Sequence, residues 1–166
     1  MKYITMLAFG ILLVSATSAY AQVWQEIKPI ESTCKDVARL LGGKPCDSAE
    51  IKYELPTVNI YISIAKTGCD KSGWGYNVPA GTVIGVRAFL SLSHVFISDL
   101  HIDESKLKPG DAGDMLDILV WESDELGVKL ETSKEKQVIT ASYYPAAKYN
   151  HLFCTPPSKS PPIHNR

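Results

Sequence analysis

The stretch Ser32–Cys46, which reads STCKDVARLLGGKPC, decides the fold because a helix start, body and stop coincide in it with two cysteines. Thr33 followed three residues later by Asp36 loosely matches a capping box, in which the threonine hydroxyl accepts a bond from an amide of the first turn. Asp36 also lies where the positive end of the helix dipole favours an anion. The stretch therefore predicts a helix that begins at Thr33.

The body of this helix carries an apolar stripe. Val37, Leu40 and Leu41 stand at positions i, i+3 and i+4, so they share one face. The Gly42–Gly43 pair supplies the left-handed residue that ends helices, and Pro45 prevents the helix from resuming. A helix of about ten residues is too short to hold alone in water, so we expect its stripe to dock on a sheet.

Residues 1–21 have the features of a secretory signal peptide. Lys2 gives the positive start, Ile4–Val14 forms the apolar core, and Ala19–Ala21 is an A-x-A cleavage site. The apolar core is too short for a membrane span, and no cysteine follows the cleavage site directly. We therefore expect a secreted or periplasmic bacterial protein with no transmembrane segment after cleavage.

The charge balance excludes some classes of partner. The 166 residues include 17 Lys and Arg against 18 Asp and Glu, a formal charge of −1. Neither a basic patch nor an acidic run stands out, which argues against nucleic acid and anionic membranes. A protein or another envelope component is the expected partner, and the oligomeric state stays open.

Four cysteines follow the signal peptide, and an even number in an exported chain indicates two disulfides. Three pairings are open. Cys34 opens the helix and Cys46 follows its stop, which favours Cys34–Cys46 and leaves Cys69–Cys154. The chain-entropy model gives about 3 kcal/mol for the short loop and about 4.6 kcal/mol for the long one. A metal site would need clustered ligands such as C-x2-C pairs, which the sequence lacks.

The rest of the chain has mostly the pattern of strands, and the clearest alternation begins at Val58. The predicted strands are Ile51–Leu55, Val58–Ala65, Thr82–Leu90, Val95–Ile102, Met115–Glu122, Val128–Thr132 and Gln137–Tyr144. The last three form an antiparallel meander, and residues 103–114 form either a long loop or a weak helical turn around Lys106.

These elements predict the α+β class: a short N-terminal helix packed on a mostly antiparallel sheet of about six to seven strands, with two disulfides. The domain spans residues 22–154. Residues 155–166 hold four of the ten prolines and predict a disordered or polyproline tail. The strand pattern also repeats, since three strands follow the helix and three follow a polar stretch.

Asp99, His101 and Asp103 are the sharpest candidates for catalysis. In a strand over Val95–Ile102, side-chain alternation puts all three on one face. Two carboxylates that flank an imidazole could orient its tautomer, tune its pKa or hold a metal. The competing interpretation is the polar outer face that every half-buried strand needs.

Two further groups suggest binding. Trp74 and Tyr76 lie in a glycine-rich loop over residues 66–81, where aromatic side chains either bind a ligand or cover a core edge beside Cys69. Asp111, Asp114 and Asp117 form a D-x2-D-x2-D series of the oxygen-rich kind that calcium prefers. The spacing differs from an EF-hand and lacks its closing Glu, so a solvated loop competes with the metal site.

Nucleophilic catalysis finds no support in the sequence, which has neither a G-x-S-x-G elbow nor an H-E-x-x-H motif. No cofactor is expected. Tyr143–Tyr144, Tyr149 and Phe153 near Cys154 either pack at a core edge or form a recognition patch.

The segment Ile30–Pro45 followed by strands resembles exported bacterial proteins that carry an I-x-S-T-x-x-D-V-x-x-L-L-G-x-P segment soon after the signal peptide. It is also similar to the helix-then-three-strands unit of the SmpA/OmlA-type outer-membrane assembly lipoproteins and of the β-lactamase-inhibitor-protein-like fold. The chain departs from the lipoproteins because it lacks a lipid-attachment cysteine. The resemblance implies a non-catalytic exported α+β module and carries over no active-site residues.

The sequence thus favours a binding, inhibitory or envelope-associated module of the secreted or periplasmic space. A small exported hydrolase built on Asp99, His101 and Asp103 is one alternative. A calcium- or carbohydrate-binding envelope protein that uses residues 111–117 and Trp74 is the other.

Overall fold

A seven-stranded antiparallel sheet dominates the computed structural model, and the few helices are short, so the chain is a mixed α+β protein made mostly of sheet. The structure describes residues 23–43, 46–66, 68–69, 75–90, 94–112 and 117–154. The signal peptide and the proline-rich tail predicted from the sequence lie outside these residues.

The strands form one sheet in the order β1-β2-β3-β7-β6-β5-β4, and every neighbouring pair is antiparallel. Each half of the sheet is a meander, and the two meanders join where β3 pairs with β7. The strands are β1 (Glu50–Leu55), β2 (Val58–Ile64), β3 (Val83–Phe89), β4 (Lys108–Pro109), β5 (Leu119–Ser123), β6 (Val128–Thr132) and β7 (Val138–Tyr143).

Most of the predicted strands are confirmed within one residue at each end. β6 has the predicted bounds, and the meander of β5, β6 and β7 is confirmed by the pairing. The strand predicted over Met115–Glu122 is observed as Leu119–Ser123, and residues 113–116 lie outside the described part of the chain. The two-residue strand β4 was not predicted.

The strand predicted over Val95–Ile102 is wrong. Ile97–Leu100 is a 3-10 turn, because the Asp99 carboxylate accepts the backbone N–H of Phe96 at 2.8 Å and so closes a cap. His101 then takes the left-handed conformation with φ of 52° and ends the turn. A short side-chain bond to the backbone therefore overrides the alternating pattern.

One α-helix, α1 (Cys34–Leu41), is present among the described residues. The Asp36 carboxylate accepts both the backbone N–H of Thr33 at 2.9 Å and its hydroxyl at 2.8 Å. Gly42, with φ of +96°, donates its N–H to Ala38 and ends the helix. The 3-10 turns are Val23–Glu26, Ile97–Leu100, Glu104–Lys106 and Ala147–Leu152.

The hydrophobic core is one cluster on one side of the sheet. Alternate side chains of the strands point into it, and Trp24, Ile27 and Val37 from the N-terminal segment are buried with them. Leu40 and Leu41 are partly buried against the same cluster.

Both cysteine pairs preferred from the sequence lie at disulfide distance. The Cα atoms of Cys34 and Cys46 are 6.2 Å apart, and those of Cys69 and Cys154 are 5.3 Å apart. The second pair links positions 85 residues apart and fixes the end of the described chain beside the loop at Gly75.

Gly127 lies close against the backbone of the chain after β7. It has φ of +66° in the turn between β5 and β6, and its carbonyl accepts the N–H of Tyr144 at 2.8 Å. A Cβ atom at Gly127 would stand 2.7 Å from the backbone nitrogen of Ala146 and closer still to the carbonyl oxygen of Tyr144.

We expect Gly127→Ala to lower the free energy of unfolding by about 3 kcal/mol, since left-handed backbone strain adds to the clash. Gly42→Ala is the matched control, because Gly42 also has positive φ but nothing lies within 4 Å of its Cβ position. Urea unfolding of the oxidised protein measures both. Equal losses in the two variants would contradict the close approach.

Candidate functional site

An open cleft of about 840 Å³ lies beside the N-terminal segment. The N-terminal segment and the turn before Glu104 form two of its walls, and the β5–β6 turn and the chain after β7 form the others. We call it the tyrosine cleft. It is lined by Val23, Gln25–Pro29, Glu31, Leu100–Asp103, Glu125–Val128, Tyr143, Tyr144, Ala146, Lys148 and Tyr149.

Apolar side chains contribute several of the lining residues. Ile27, Leu100 and Val128 are buried in the core cluster, and Ile102 and Leu126 pack against it half-buried. The cleft thus opens directly onto the hydrophobic core, and an apolar group bound there would be removed from water.

Two of the tyrosines are held by their hydroxyl groups. The Tyr144 hydroxyl lies 3.2 Å from a carboxylate oxygen of Asp124 and 3.3 Å from the carbonyl oxygen of Val128. Burial, together with the charge of Asp124, raises the pKa of Tyr144 to about 12. The Tyr149 hydroxyl donates to Glu31. These bonds set the orientation of both rings before any ligand arrives.

The third tyrosine has a buried hydroxyl without a partner in the described structure. The Tyr143 ring packs edge-on against Trp24 with centroids 5.6 Å apart, and burial raises the pKa of Tyr143. The side-chain nitrogen of Gln25 is likewise buried and unpartnered among the described residues. Leaving such a group unsatisfied lowers the stability by about 1–3 kcal/mol, so an acceptor that reached either donor would gain that free energy.

The rim of the cleft carries more negative than positive groups. Glu26, Glu31, Asp103 and Glu125 face two lysines, Lys28 and Lys148.

An ion pair at Glu31 ties the N-terminal wall to the chain after β7. Lys148 lies 3.0 Å from the Glu31 carboxylate. The hydrogen bond from Tyr149 and then that from Lys148 hold the pKa of Glu31 below its usual value of 4.5.

The predicted catalytic residues do not share one face. His101 and Asp103 line the cleft, whereas Asp99 is not among its lining residues and caps the 3-10 turn at Phe96. Asp103 accepts the N–H and the hydroxyl of Ser105, and these bonds lower its pKa. Each carboxylate thus has a local structural bond in place of a bond to the imidazole.

Of the two aromatic residues predicted to bind a ligand, the structure describes only Tyr76. Trp74 lies outside the described residues. Tyr76 packs against Phe153 with ring centroids 4.3 Å apart, and burial raises its pKa to about 12. Tyr76 thus joins its loop to the chain just before Cys154, which supports the packing interpretation.

The aspartate series does not form a metal site in the described part of the chain. Asp114 lies outside it, and Asp117 pairs with Lys134 at 2.7 Å. Searched over the described residues alone, the fold contains no group of three or more acidic, histidine or cysteine side chains able to hold a metal ion.

A second, smaller groove of about 420 Å³ lies on the outer face of the sheet. It contains Tyr61 and Phe89, whose rings meet edge-on at 5.5 Å. The exposed Arg87 stands directly opposite Tyr61 in the ladder.

Sequence reasoning did not find the cleft. Tyr143, Tyr144 and Tyr149 were noted as an aromatic group, but Gln25 and Glu31 carry no local pattern that marks them. A weak signal was the polar Gln25 beside Trp24 in an otherwise apolar lead-in.

Comparisons with known proteins do not assign the chain to a family. No protein-family model matches the chain, and no characterised protein or solved structure matches it significantly. Across the described residues, none of the helices has both the length and the apolar character that crossing a membrane requires.

We expect Tyr143→Phe to leave the free energy of unfolding unchanged or to raise it by about 1 kcal/mol, because it removes a buried hydroxyl that has no partner. Tyr144→Phe is the matched control and should lose about 1 kcal/mol with its hydrogen bond. Urea unfolding measures both. A loss in Tyr143→Phe as large as that in the control would show that its hydroxyl is bonded.

We expect Glu31→Gln to destabilise the protein at neutral pH by less than about 1 kcal/mol, because the pair is largely exposed. The pKa of Glu31 is lowered on folding, so its contribution is complete above pH 4.5 and is lost as pH falls through the folded value. Urea unfolding from pH 7 to pH 3 should show the two proteins converging. A difference in the free energy of unfolding that stays constant with pH would contradict this linkage. Adding Tyr149→Phe to Glu31→Gln should lower the free energy of unfolding little further.

Proposed function

We propose that this chain is a secreted or periplasmic, non-catalytic binding module that recognises an extended segment of a partner polypeptide in the tyrosine cleft. The observation that carries the proposal is the pair of buried donors on Gln25 and Tyr143, which have no partner among the described residues, beside an apolar cleft of about 840 Å³. A large apolar concavity with a few polar groups is the usual form of a binding site.

An extended polypeptide fits this chemistry better than a small apolar molecule. Its backbone carbonyls supply acceptors for the Gln25 amide and the Tyr143 hydroxyl, once a small shift exposes them. Its side chains can fill the apolar part of the cleft against Leu126. Backbone bonds for affinity and side-chain pockets for specificity are the usual division in peptide recognition.

Two features support export: the signal-like N-terminal residues and the two cysteine pairs at disulfide distance. The signal-like residues 1–21 and the two cysteine pairs at disulfide distance agree with a compartment in which disulfides persist. In this proposal the short helix α1 packs on the sheet, and the two disulfides hold the module together. The resemblance of Ile30–Pro45 to envelope assembly proteins suggests an envelope protein as the partner.

The hydrolase alternative has one supporting observation, which is that His101 and Asp103 both line the cleft. It has less support than binding, because Asp99 and Asp103 accept hydrogen bonds from backbone groups and because the cleft lining of the described residues includes no serine or cysteine. A serine or cysteine nucleophile with an adjacent base is the usual arrangement for covalent acyl transfer.

The test is selection of short random peptides from a display library against the oxidised chain that begins at residue 22. We expect selected peptides to bind about tenfold more weakly to Leu126→Arg, because a charge would enter the apolar part of the cleft. Leu119→Arg is the matched control, since Leu119 is 38% exposed and lies outside the cleft.

Calorimetric titration gives the affinities, and thermal unfolding checks that both variants fold. Peptides that bind Leu126→Arg and Leu119→Arg equally well would rule out the cleft as the recognition site.

A further inference from the structure

Three aromatic rings give the tyrosine cleft the chemistry of a proline-binding groove. Tyr143, Tyr144 and Tyr149 line it, and all three are half-buried. Proline-rich segments dock in aromatic-lined grooves because the polyproline II conformation is largely formed before binding. The hydroxyl bonds of Tyr144 and Tyr149 hold two of the rings, so little side-chain freedom is lost on binding.

The chain itself carries a segment of matching chemistry directly after Cys154. Residues 155–166 read TPPSKSPPIHNR, with two Pro-Pro pairs, the cations Lys159 and Arg166, and no Asp or Glu. The cleft supplies complementary charge: of its four carboxylates, Glu31 pairs with Lys148 and Glu125 with Lys106, which leaves Glu26 and Asp103 to face the cations of the segment.

The origin of this segment lies within reach of the cleft. Tyr149 lines the cleft and precedes Cys154 by five positions, so their Cα atoms are at most roughly 18 Å apart. Cys154 is held there by Cys69 and by its own N–H, which donates to the carbonyl of Gly75 at 3.1 Å. Twelve residues in the polyproline II conformation span about 37 Å, enough to cross the cleft.

We propose that the tyrosine cleft binds the chain's own proline-rich segment, residues 155–166, which competes there with partner polypeptides. The inference rests on the proposed function, because the cleft must accept an extended polypeptide. The Pro-Pro pairs pack on the tyrosine rings, and Lys159 pairs with rim carboxylates. Because a tethered segment has a millimolar effective concentration, even weak docking would reduce the affinity for a partner.

The first test removes the prolines from the full oxidised chain and keeps its charges. The variant carries Pro156→Ala, Pro157→Ala, Pro161→Ala and Pro162→Ala, and the control carries Ser158→Ala and Ser160→Ala. A library-selected peptide should bind the proline variant about tenfold more tightly than the control, because the internal competitor is weakened. Equal affinities in calorimetric titration would overturn the proposal.

The second test uses the synthetic peptide TPPSKSPPIHNR as the probe. It should bind the proline variant saturably and should lose about tenfold in affinity when Leu126→Arg is added. A peptide of the same charge with alanine at the four proline positions should bind at least about tenfold more weakly.

The outcomes separate the two proposals. If the library-selected peptides bind the cleft but TPPSKSPPIHNR does not, the self-docking inference is overturned and the proposed function stands. If neither kind of peptide binds, both are overturned. If TPPSKSPPIHNR binds as well to Leu126→Arg, its site lies elsewhere and the inference is overturned.

Discussion

The pairing of β3 with β7 is the interaction on which the rest of the structure depends. These strands join two meanders that are otherwise separate in sequence, and Val86 stands opposite Tyr143 in the ladder. The pairing makes one continuous sheet with one buried face. It also brings Tyr143 against Trp24 of the N-terminal segment. The same strand pairing therefore positions both the core and the tyrosine cleft.

The N-terminal segment packs on the sheet and links β3 to the chain after β7. Trp24 and Ile27 are buried, and the Ile30 N–H donates to the carbonyl of Val83 at 2.7 Å. Glu31 then reaches Lys148 across 117 positions of sequence. The cleft is therefore assembled from parts that only the complete sheet brings together, which is why its walls include both ends of the described chain.

The regular parts of the fold were predictable because their signals are local. Alternation alone located β2 and β6. The segment after Val95 was mispredicted because one bond, from the Phe96 amide to the Asp99 carboxylate, caps a 3-10 turn over Ile97–Leu100 that the alternating pattern does not reveal. The cleft gave no such signal, since Gln25, Leu126 and Tyr143 come from three segments that share neither period nor motif.

The two edge strands of the sheet differ in length and in side-chain character. β4 has two residues, one of them Pro109, which lacks an N–H and cannot continue a ladder. At the opposite margin, β1 pairs only with β2 among the described residues, and its outward side chains Glu50, Lys52 and Glu54 are charged. One margin is thus protected by its short length and a missing donor and the other by charge, so the joining of sheets edge to edge into a filament is disfavoured at both.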